Sequence, residues 1–148
     1  MAYVIQSRPL VAGCAEGEVL LSDKPLSFWG GYDAKTGEII DRRHPLSGEF
    51  AAGKILALPF SRGSSTTTAV LLESMHGGTA PAAILTIGVD TFFALASIVA
   101  EELFMETIPI LSLTEGDFKK LENGDMVKIS QSGEVVISTQ SEKQPTAR

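Results

Sequence analysis

The feature that most constrains the fold of this chain is a series of three short apolar runs with a helix-like segment between each pair. The runs are Gly53–Leu58, Pro81–Ile87 and Glu106–Leu111. Continuous apolar runs of this length are typical of buried strands. The middle of the chain is therefore predicted to alternate strand, helix, strand, helix, strand, which indicates an α/β core.

The two helices between these strands are predicted from their spacing and end signals. The first begins near Ser65 or Thr66, carries apolar side chains at helical spacing, and ends at Gly77-Gly78, because glycine commonly follows a helix C-terminus. The second is capped by Asp90 or Thr91, whose side chains suit an N-cap.

Antiparallel β structure is predicted at both ends of the chain. Ala2–Val11 and Glu18–Leu21 are strand-like runs separated by glycines, which suggests a hairpin. Asp125–Ser130 and Glu134–Ser138 suggest a second hairpin, preceded by a helical turn that opens at Thr114. We expect one domain over residues 1–138 and a polar, disordered tail over residues 139–148.

Composition narrows the possible partners. The 148 residues carry a net charge of -6, which argues against nucleic acid or an anionic membrane as the main partner. The N-terminus lacks the pattern of a signal peptide. The longest apolar stretch, residues 91–100, is shorter than the ~20 residues of a membrane span. We therefore expect a cytoplasmic protein.

The candidate for chemistry is the loop Phe60–Thr68, which lies between a predicted strand and a predicted helix and reads FSRGSSTTT. A helix N-terminus presents unpaired N–H groups and partial positive charge, and Gly63 lets the backbone approach a ligand. Hydroxyls such as those of Ser64 and Ser65 can bind an anion there, or act as a base if N–H groups and Arg62 stabilise the alkoxide. Simple helix capping is the structural alternative.

A second candidate lies in the irregular segment Ser22–Gly53, which is long for a compact domain. It holds the only tryptophan, Trp29, beside Gly30. Such an aromatic can line a pocket or anchor a partner, or can simply cover the edge of the core. In the same segment Asp41–His44 combines two arginines with a histidine. This cluster can bind a carboxylate or phosphate, or form a solvated turn or a salt-bridge patch.

A metal site made wholly by this chain is not expected. Cys14 is the only cysteine, and His44 and His76 are the only histidines. One thiolate cannot hold an iron–sulfur cluster. Any metal would therefore belong to a partner.

Taken together, these motifs resemble the small subunit of aconitase X, a branch of the aconitase superfamily. The resemblance spans roughly residues 8–112. The matching positions are Pro25–Asp33, Gly37, Ile39–Arg42, His44–Leu46, Gly48, Gly53-Lys54, Arg62–Thr66 and Thr79–Ile84. The implied fold is a swivelling β/β/α domain like the mobile fourth domain of aconitases, here with flanking antiparallel hairpins.

The resemblance also implies roles for the loop residues. In the superfamily a Gly-Ser-Ser-Arg loop at a helix N-terminus supplies a serine alkoxide as base, and Ser64 stands at that serine's position, followed by Ser65. Thr66 replaces the usual arginine, so that Arg62 is the candidate to bind the substrate carboxylate. Gly63, Thr66, Trp29 and Gly30 are further candidates for substrate binding, in a pocket where the two loops converge.

The implied activity is a hydro-lyase shared between two subunits. The large subunit of aconitase X would hold an iron–sulfur cluster that takes the hydroxyl, while the serine of this chain removes the proton α to a carboxylate. Bacterial forms dehydrate cis-3-hydroxy-L-proline and archaeal forms mevalonate 5-phosphate; the composition favours the first. The rival interpretations are a non-catalytic anion-binding or interaction module and a self-sufficient enzyme.

Overall fold

The computed structural model describes residues 2–61 and 65–139, with Ser65 described by its backbone alone. Within these residues there are eight strands and three helices. The strands are β1 (Ala2–Gln6), β2 (Arg8–Val11), β3 (Ala15–Leu21), β4 (Ile55–Ala57), β5 (Ala83–Ile87), β6 (Ile110–Leu113), β7 (Met126–Ile129) and β8 (Glu134–Ser138). The helices are α1 (Ser65–Gly77), α2 (Thr91–Phe104) and α3 (Glu115–Phe118).

The strands follow the order β1-β8-β7-β3-β4-β5-β6-β2. Only Ser7 separates β1 from β2, yet these strands stand at the two ends of that order. An open sheet of eight strands would hold its edges about 30 Å apart, far beyond the reach of one residue. The sheet therefore folds back on itself, and β1–β2 passes from one half of it to the other.

β3 makes the second corner of this folded sheet. Its first half, from Ala15 to Glu18, pairs antiparallel with β7, and its second half, from Val19 to Leu21, pairs parallel with β4. One half of the sheet is thus the antiparallel set β1, β8, β7 and the start of β3. The other half contains the parallel strands β3, β4, β5 and β6, with β2 antiparallel to β6.

Two apolar cores follow from this arrangement. The first contains the buried side chains that β1, β7 and β8 share with the parallel strands, including Ile5, Ile55, Leu85 and Ile137. The second lies between the other face of the parallel strands, the helices α1 and α2, and the irregular segment, and includes Phe28, Leu56 and Phe93. The layers are therefore β, β and α, as the family resemblance implied.

The predicted core elements are confirmed, including both α helices, the helical turn at Thr114 and the β7–β8 hairpin. The N-terminal runs form strands but do not pair with each other, because β1 binds β8 and β2 binds β6. The strand predicted over Glu106–Leu111 begins only at Ile110. The residues before Ile110 are hydrogen-bonded to α2 and not to a strand. Ile108 N–H donates to Ser97 Oγ, and Ser97 Oγ–H donates to Ile108 O.

The segment from Ser22 to Lys54 contains no strand longer than an isolated bridge. It is held by turns, such as the one closed by Gly37 N–H donating to Asp33 O, and by short pairings between residues 37–39 and 48–51. It lies against the helical core through Leu26, Phe28, Tyr32 and Ile39, all buried. No helix in residues 2–61 and 65–139 is long and apolar enough to cross a membrane. The predicted tail, from residue 140 onward, lies outside the described residues.

Candidate active site

The candidate site lies where parallel strands end. β3, β4 and β5 are neighbours and run parallel, so that Leu21, Ala57 and Ile87 end at one edge of the sheet. Ligands in α/β folds bind preferentially outside the carboxyl ends of parallel strands. Three connections leave this edge: the irregular segment, the Phe60–Thr68 loop, and the turn before α2.

The loop after β4 is fastened to its neighbours up to Ser61. Ile87 N–H donates to Pro59 O, and Ser61 N–H donates to a carboxylate oxygen of Asp90 at 2.7 Å. The other oxygen of Asp90 accepts from Phe92 N–H and Phe93 N–H and so caps α2. The sequence left the cap open between Asp90 and Thr91, and the structure shows that it is Asp90. The second role of Asp90, fixing the start of the candidate loop, has no signal in the local sequence.

The predicted residues Arg62, Gly63 and Ser64 lie outside the described residues, as does the side chain of Ser65. The backbone of Ser65 is the first residue of α1. The loop therefore connects a fixed point, Ser61, to the N-terminus of a long helix over three residues. The predicted identity of the base stays a prediction.

The first turn of α1 is anchored by a threonine that the sequence did not single out. Thr68 Oγ1–H donates to Phe92 O at 2.9 Å and joins α1 to α2. Thr67 is buried, and its hydroxyl has no hydrogen-bond partner within the described part of the chain. Thr66, the candidate for substrate binding, is exposed. Of these three threonines, Thr68 is thus anchored to α2, Thr67 is buried and Thr66 is exposed.

The tryptophan loop reaches the same edge. Leu26 forms a parallel bridge with Ser61, which places the two loops side by side. Phe28 is buried, stacked on Tyr32 with ring centroids 4.6 Å apart and edge-on to Phe93 at 5.2 Å. Trp29 is 69% exposed. Phe28 therefore covers the core, whereas Trp29 does not.

Gly30, next to Trp29, has a φ of 78°, a conformation that glycine adopts without strain. Its backbone is open, because a Cβ added there would meet nothing within 4 Å. Apolar side chains near the same edge are also exposed, namely Phe60 and Val89. The candidate loop therefore begins with one exposed apolar group, Phe60, and a second, Val89, stands just before Asp90.

The cluster Asp41–His44 contains one buried basic residue, His44, and two exposed ones, Arg42 and Arg43. His44 is buried; its Nδ1 accepts from Leu46 N–H, and its Nε2 lies 3.2 Å from Lys24 O. The first bond leaves Nε2 as the protonated nitrogen, so both ring nitrogens are used by the backbone. His44 therefore joins two parts of the irregular segment. Arg42 and Arg43 are exposed beside it.

The described residues contain no group of three or more His, Cys, Asp or Glu side chains that could hold a metal ion. Cys14 is exposed on the connection between β2 and β3, with Sγ 3.9 Å from Gln131 Oε1. His76 packs against the Phe104 ring at the end of α1. These residues do not fit an iron–sulfur cluster, which needs several thiolates.

Known proteins of one family share this fold and resemble this sequence. The family model of the aconitase X swivel domain matches residues 4–138. The crystal structure of Thermococcus kodakaraensis aconitase X in its holo form superposes with a TM-score of 0.81 at 36% identity, covering 93% of this chain and 99% of that one. This chain belongs to the aconitase X swivel-domain family.

Two kinds of curated relative are similar to the chain. A cis-3-hydroxy-L-proline dehydratase from Pseudomonas aeruginosa is 54% identical over 77% of this chain, but the match covers 20% of that protein. A phosphomevalonate dehydratase small subunit from Methanosarcina acetivorans is 33% identical over 85% of this chain and 84% of that subunit. The chain thus spans about a fifth of the first relative and most of the second.

Proposed function

We propose that this chain is the swivel component of an aconitase-like dehydratase and supplies the base that removes the proton α to a carboxylate. The observation that carries the proposal is the 54% identity to a cis-3-hydroxy-L-proline dehydratase across most of the chain. The remaining active-site groups would come from a large subunit of aconitase X, in a heterodimer or higher assembly. The expected compartment is the cytoplasm.

Ser64 is the proposed base. In the sequence it stands three residues after Ser61 and one before Ser65, the first residue of α1. The N–H groups of the first turn of a helix have no intrahelical acceptors, and the helix end is partially positive. An alkoxide there would gain hydrogen bonds that a neutral hydroxyl does not need, which lowers the cost of ionising it. Ser65 is the alternative base.

Arg62, Gly63 and Thr66 are proposed to hold the substrate. A guanidinium matches a carboxylate with two parallel hydrogen bonds, and Gly63 would let backbone N–H groups reach the same anion. Trp29 and Gly30 would form the opposite wall of this pocket. The support for that wall is the Leu26–Ser61 bridge, together with the 69% exposure of Trp29. An aromatic that excludes water strengthens the electrostatic interactions of the loop.

The iron–sulfur cluster implied by the family would be held by the large subunit, since the described residues of this chain do not fit it. When bound there, such a cluster acts as a Lewis acid on a hydroxyl group. The residues of this chain would orient the substrate and hold the abstracted proton on serine. Neither component should turn over substrate alone.

cis-3-Hydroxy-L-proline is the proposed substrate, because a dehydratase of that compound shares more than half of its aligned residues with this chain. A second candidate is mevalonate 5-phosphate. It is favoured by a different observation, the match over most of the length of an archaeal phosphomevalonate dehydratase small subunit. The two candidates differ in the anion that must be bound, a carboxylate alone or a carboxylate and a phosphate.

The test is anaerobic dehydratase activity of this chain assembled with its large subunit, measured on both compounds. We expect turnover of cis-3-hydroxy-L-proline, with kcat reduced about 100- to 10,000-fold by Ser64→Ala, the usual range for loss of a general base. Ser65→Ala should have a smaller effect. Ser132→Ala, in the exposed β7–β8 turn, is the matched control and should leave kcat unchanged.

Several outcomes would contradict parts of the proposal. Turnover of mevalonate 5-phosphate alone would replace the substrate. Full activity of Ser64→Ala in an assembly of normal size, judged by size-exclusion chromatography, would move the base to Ser65 or to the large subunit. An intact assembly that binds an anion but turns over neither compound would favour the non-catalytic module.

A further inference from the structure

A pocket of about 600 Å³ lies where the irregular segment begins. It is lined by Lys24, Pro25 and the run from Asp41 to Pro45. Lys24 and Pro25 immediately precede Leu26, the residue that bridges Ser61. The pocket therefore adjoins the proposed active site along the backbone, although none of its residues has been given a part in the reaction.

His44 fixes the shape of this pocket. Its Nε2–H donates to Lys24 O at 3.2 Å and its Nδ1 accepts from Leu46 N–H at 3.1 Å. A buried ring with both nitrogens used by the backbone holds the two walls of the pocket together. The turn at residues 41–43, which also lines the pocket, is held in place because Arg43 N–H donates to a carboxylate oxygen of Asp41 at 3.0 Å.

The charges in the pocket are unequal. Its lining carries the cations Lys24, Arg42 and Arg43 against the single carboxylate of Asp41. Arg42 is already engaged, with Glu38 at 3.7 Å and Ser47 at 3.2 Å. The side chains of Lys24 and Arg43 form no ion pair with another described residue. Two cations without an ion-pair partner among the described residues thus share the pocket with one carboxylate, which leaves it an excess of positive charge.

This local excess of positive charge occurs in a chain whose net charge is -6. Such a chain repels anions on average, so that an anionic substrate needs a local positive field to approach and stay. An ammonium and a guanidinium on adjoining walls also suit the oxygens of a carboxylate or a phosphate. Packing does not require the charges of Lys24 and Arg43, since both side chains are exposed.

We propose that the pocket formed by Lys24, Arg42, Arg43 and His44 is an oxyanion-binding site that receives the phosphate group of a phosphorylated substrate or, in place of Arg62, the carboxylate of cis-3-hydroxy-L-proline. This inference rests on the proposed function for the identity of the ligand, but anion binding itself does not depend on catalysis. Arg43 and Lys24 would contact the anion, with Arg42 in support. His44 is a positioning residue, because it acts through the backbone of Lys24 and Leu46.

Binding is tested on the full chain without its partner. Inorganic phosphate and, separately, acetate are titrated while amide resonances are followed by NMR. We expect saturable shifts at Lys24, Arg43 and His44, weakened about tenfold or more by Arg43→Gln or Lys24→Gln, as is usual when a charged hydrogen-bond partner is lost. Lys128→Gln, the same charge change on β7 at the opposite end of β3, should bind like the wild type.

The same variants are then measured in the assembled enzyme. Arg43→Gln should raise KM about tenfold with little change in kcat, whereas Ser64→Ala should lower kcat and leave phosphate or acetate binding to the chain intact. A stronger effect with phosphate than with acetate would assign the pocket to a phosphate group, and the reverse to a carboxylate. Absence of saturable shifts, or equal weakening by Lys128→Gln, would overturn the proposal. Binding without turnover would keep it while rejecting the dehydratase assignment.

Discussion

The antiparallel strands β1, β7 and β8 and the irregular segment Ser22–Lys54 hold their positions in different ways. Every residue of β1 has a partner on β8, and each residue of β7 is paired with β8 as well. The irregular segment has isolated bridges and a few side-chain anchors, such as Phe28 in the core and the Tyr32 hydroxyl that donates to Thr79 O at 2.6 Å. Continuous ladders distribute stability over many bonds, whereas anchors concentrate it in single residues.

The difference explains where chemistry can reside. A segment held at a few points leaves the residues between its anchors exposed and available to a ligand, and Trp29, next to buried Phe28, is exposed in this way. The antiparallel strands have no comparable freedom, since each side chain faces either the core or solvent. Substitutions at the anchors should therefore damage the irregular segment more than equivalent substitutions damage the ladders.

The largest effect is expected for Phe28→Ala. This change leaves a cavity between Tyr32 and Phe93 and should lower the free energy of unfolding by about 3–5 kcal/mol. Ile137→Val in β8 removes only one methyl group from the ladder region and should cost about 1 kcal/mol, so the two regions are compared by their local hydrogen exchange. Chemical denaturation gives both values, and hydrogen exchange should accelerate at the Ile40 amide, which donates to Gly31 O. Similar exchange rates for Ile40 and Val135 in Phe28→Ala would contradict the anchor interpretation.

A pair of glycines separates backbone strain from steric crowding in the same segment. Gly37 and Gly48 have φ values of 81° and 89°, but a Cβ at Gly37 would lie 2.8 Å from both Ala52 Cβ and Thr79 O, whereas one at Gly48 would meet nothing within 4 Å. Gly37→Ala should cost about 2–3 kcal/mol and Gly48→Ala about 1 kcal/mol. Thermal unfolding of the two variants checks this, and equal losses would mean that Thr79 moves aside without cost.

Asp90 connects the candidate loop to α2, and its two oxygens can be tested apart. Asp90→Ala removes the cap and should cost about 1–2 kcal/mol. Asp90→Asn retains one oxygen for Phe92 N–H and Phe93 N–H but presents an amide N–H₂ to Ser61 N–H. It should be closer to wild type in stability, with faster hydrogen exchange at Ser61. Unchanged exchange at Ser61 in both variants would show that the loop is held by other contacts.

The smallest effect concerns Tyr32, whose pKa is raised by burial of the phenol. In the unfolded chain a tyrosine titrates near pH 10, so above that pH the unfolded state loses a proton that the folded state keeps. The free energy of unfolding should therefore fall as pH rises past about 10, by up to about 1.4 kcal/mol per pH unit. Tyr32→Phe should remove this slope and cost about 1 kcal/mol at neutral pH. Tyr3, whose pKa is raised by its own burial and then by Asp125, Glu122 and Asp117, should contribute a slope of the same sign.

The elements that sequence reasoning predicted well are those specified locally. Asp90 and Thr114 cap helices through bonds to residues two or three positions away, and the β7–β8 hairpin closes over a short turn. The pairing of β1 with β8 could not be predicted, because its residues lie more than a hundred positions apart and any apolar strand could serve as partner. The N-terminal hairpin was predicted wrongly because its two strand-like runs are neighbours in the sequence, although their partners are β8 and β6.

The candidate site was predictable in part for the same reason. Hydroxyls and a glycine before a helix are visible in the sequence, and so is an aromatic among glycines. The attachments are not visible: the Leu26–Ser61 bridge and the bond from Ser61 N–H to Asp90 join residues that are distant in sequence. Nor does the sequence show that His44 is committed to the backbone, which distinguishes it from the exposed arginines beside it.

The strand that passes from β1 through Ser7 to β2 has a consequence for how the protein is made. Its partners, β8 and β6, are both synthesised long after it, and β8 ends at Ser138. The residues of β1 are synthesised more than a hundred positions before those of β8 and must therefore wait, without this partner, until nearly the whole domain has emerged. Because closing such long loops precedes any gain from the contacts, folding is expected to be slow, on a scale of milliseconds to seconds, with the N-terminal strand joining last.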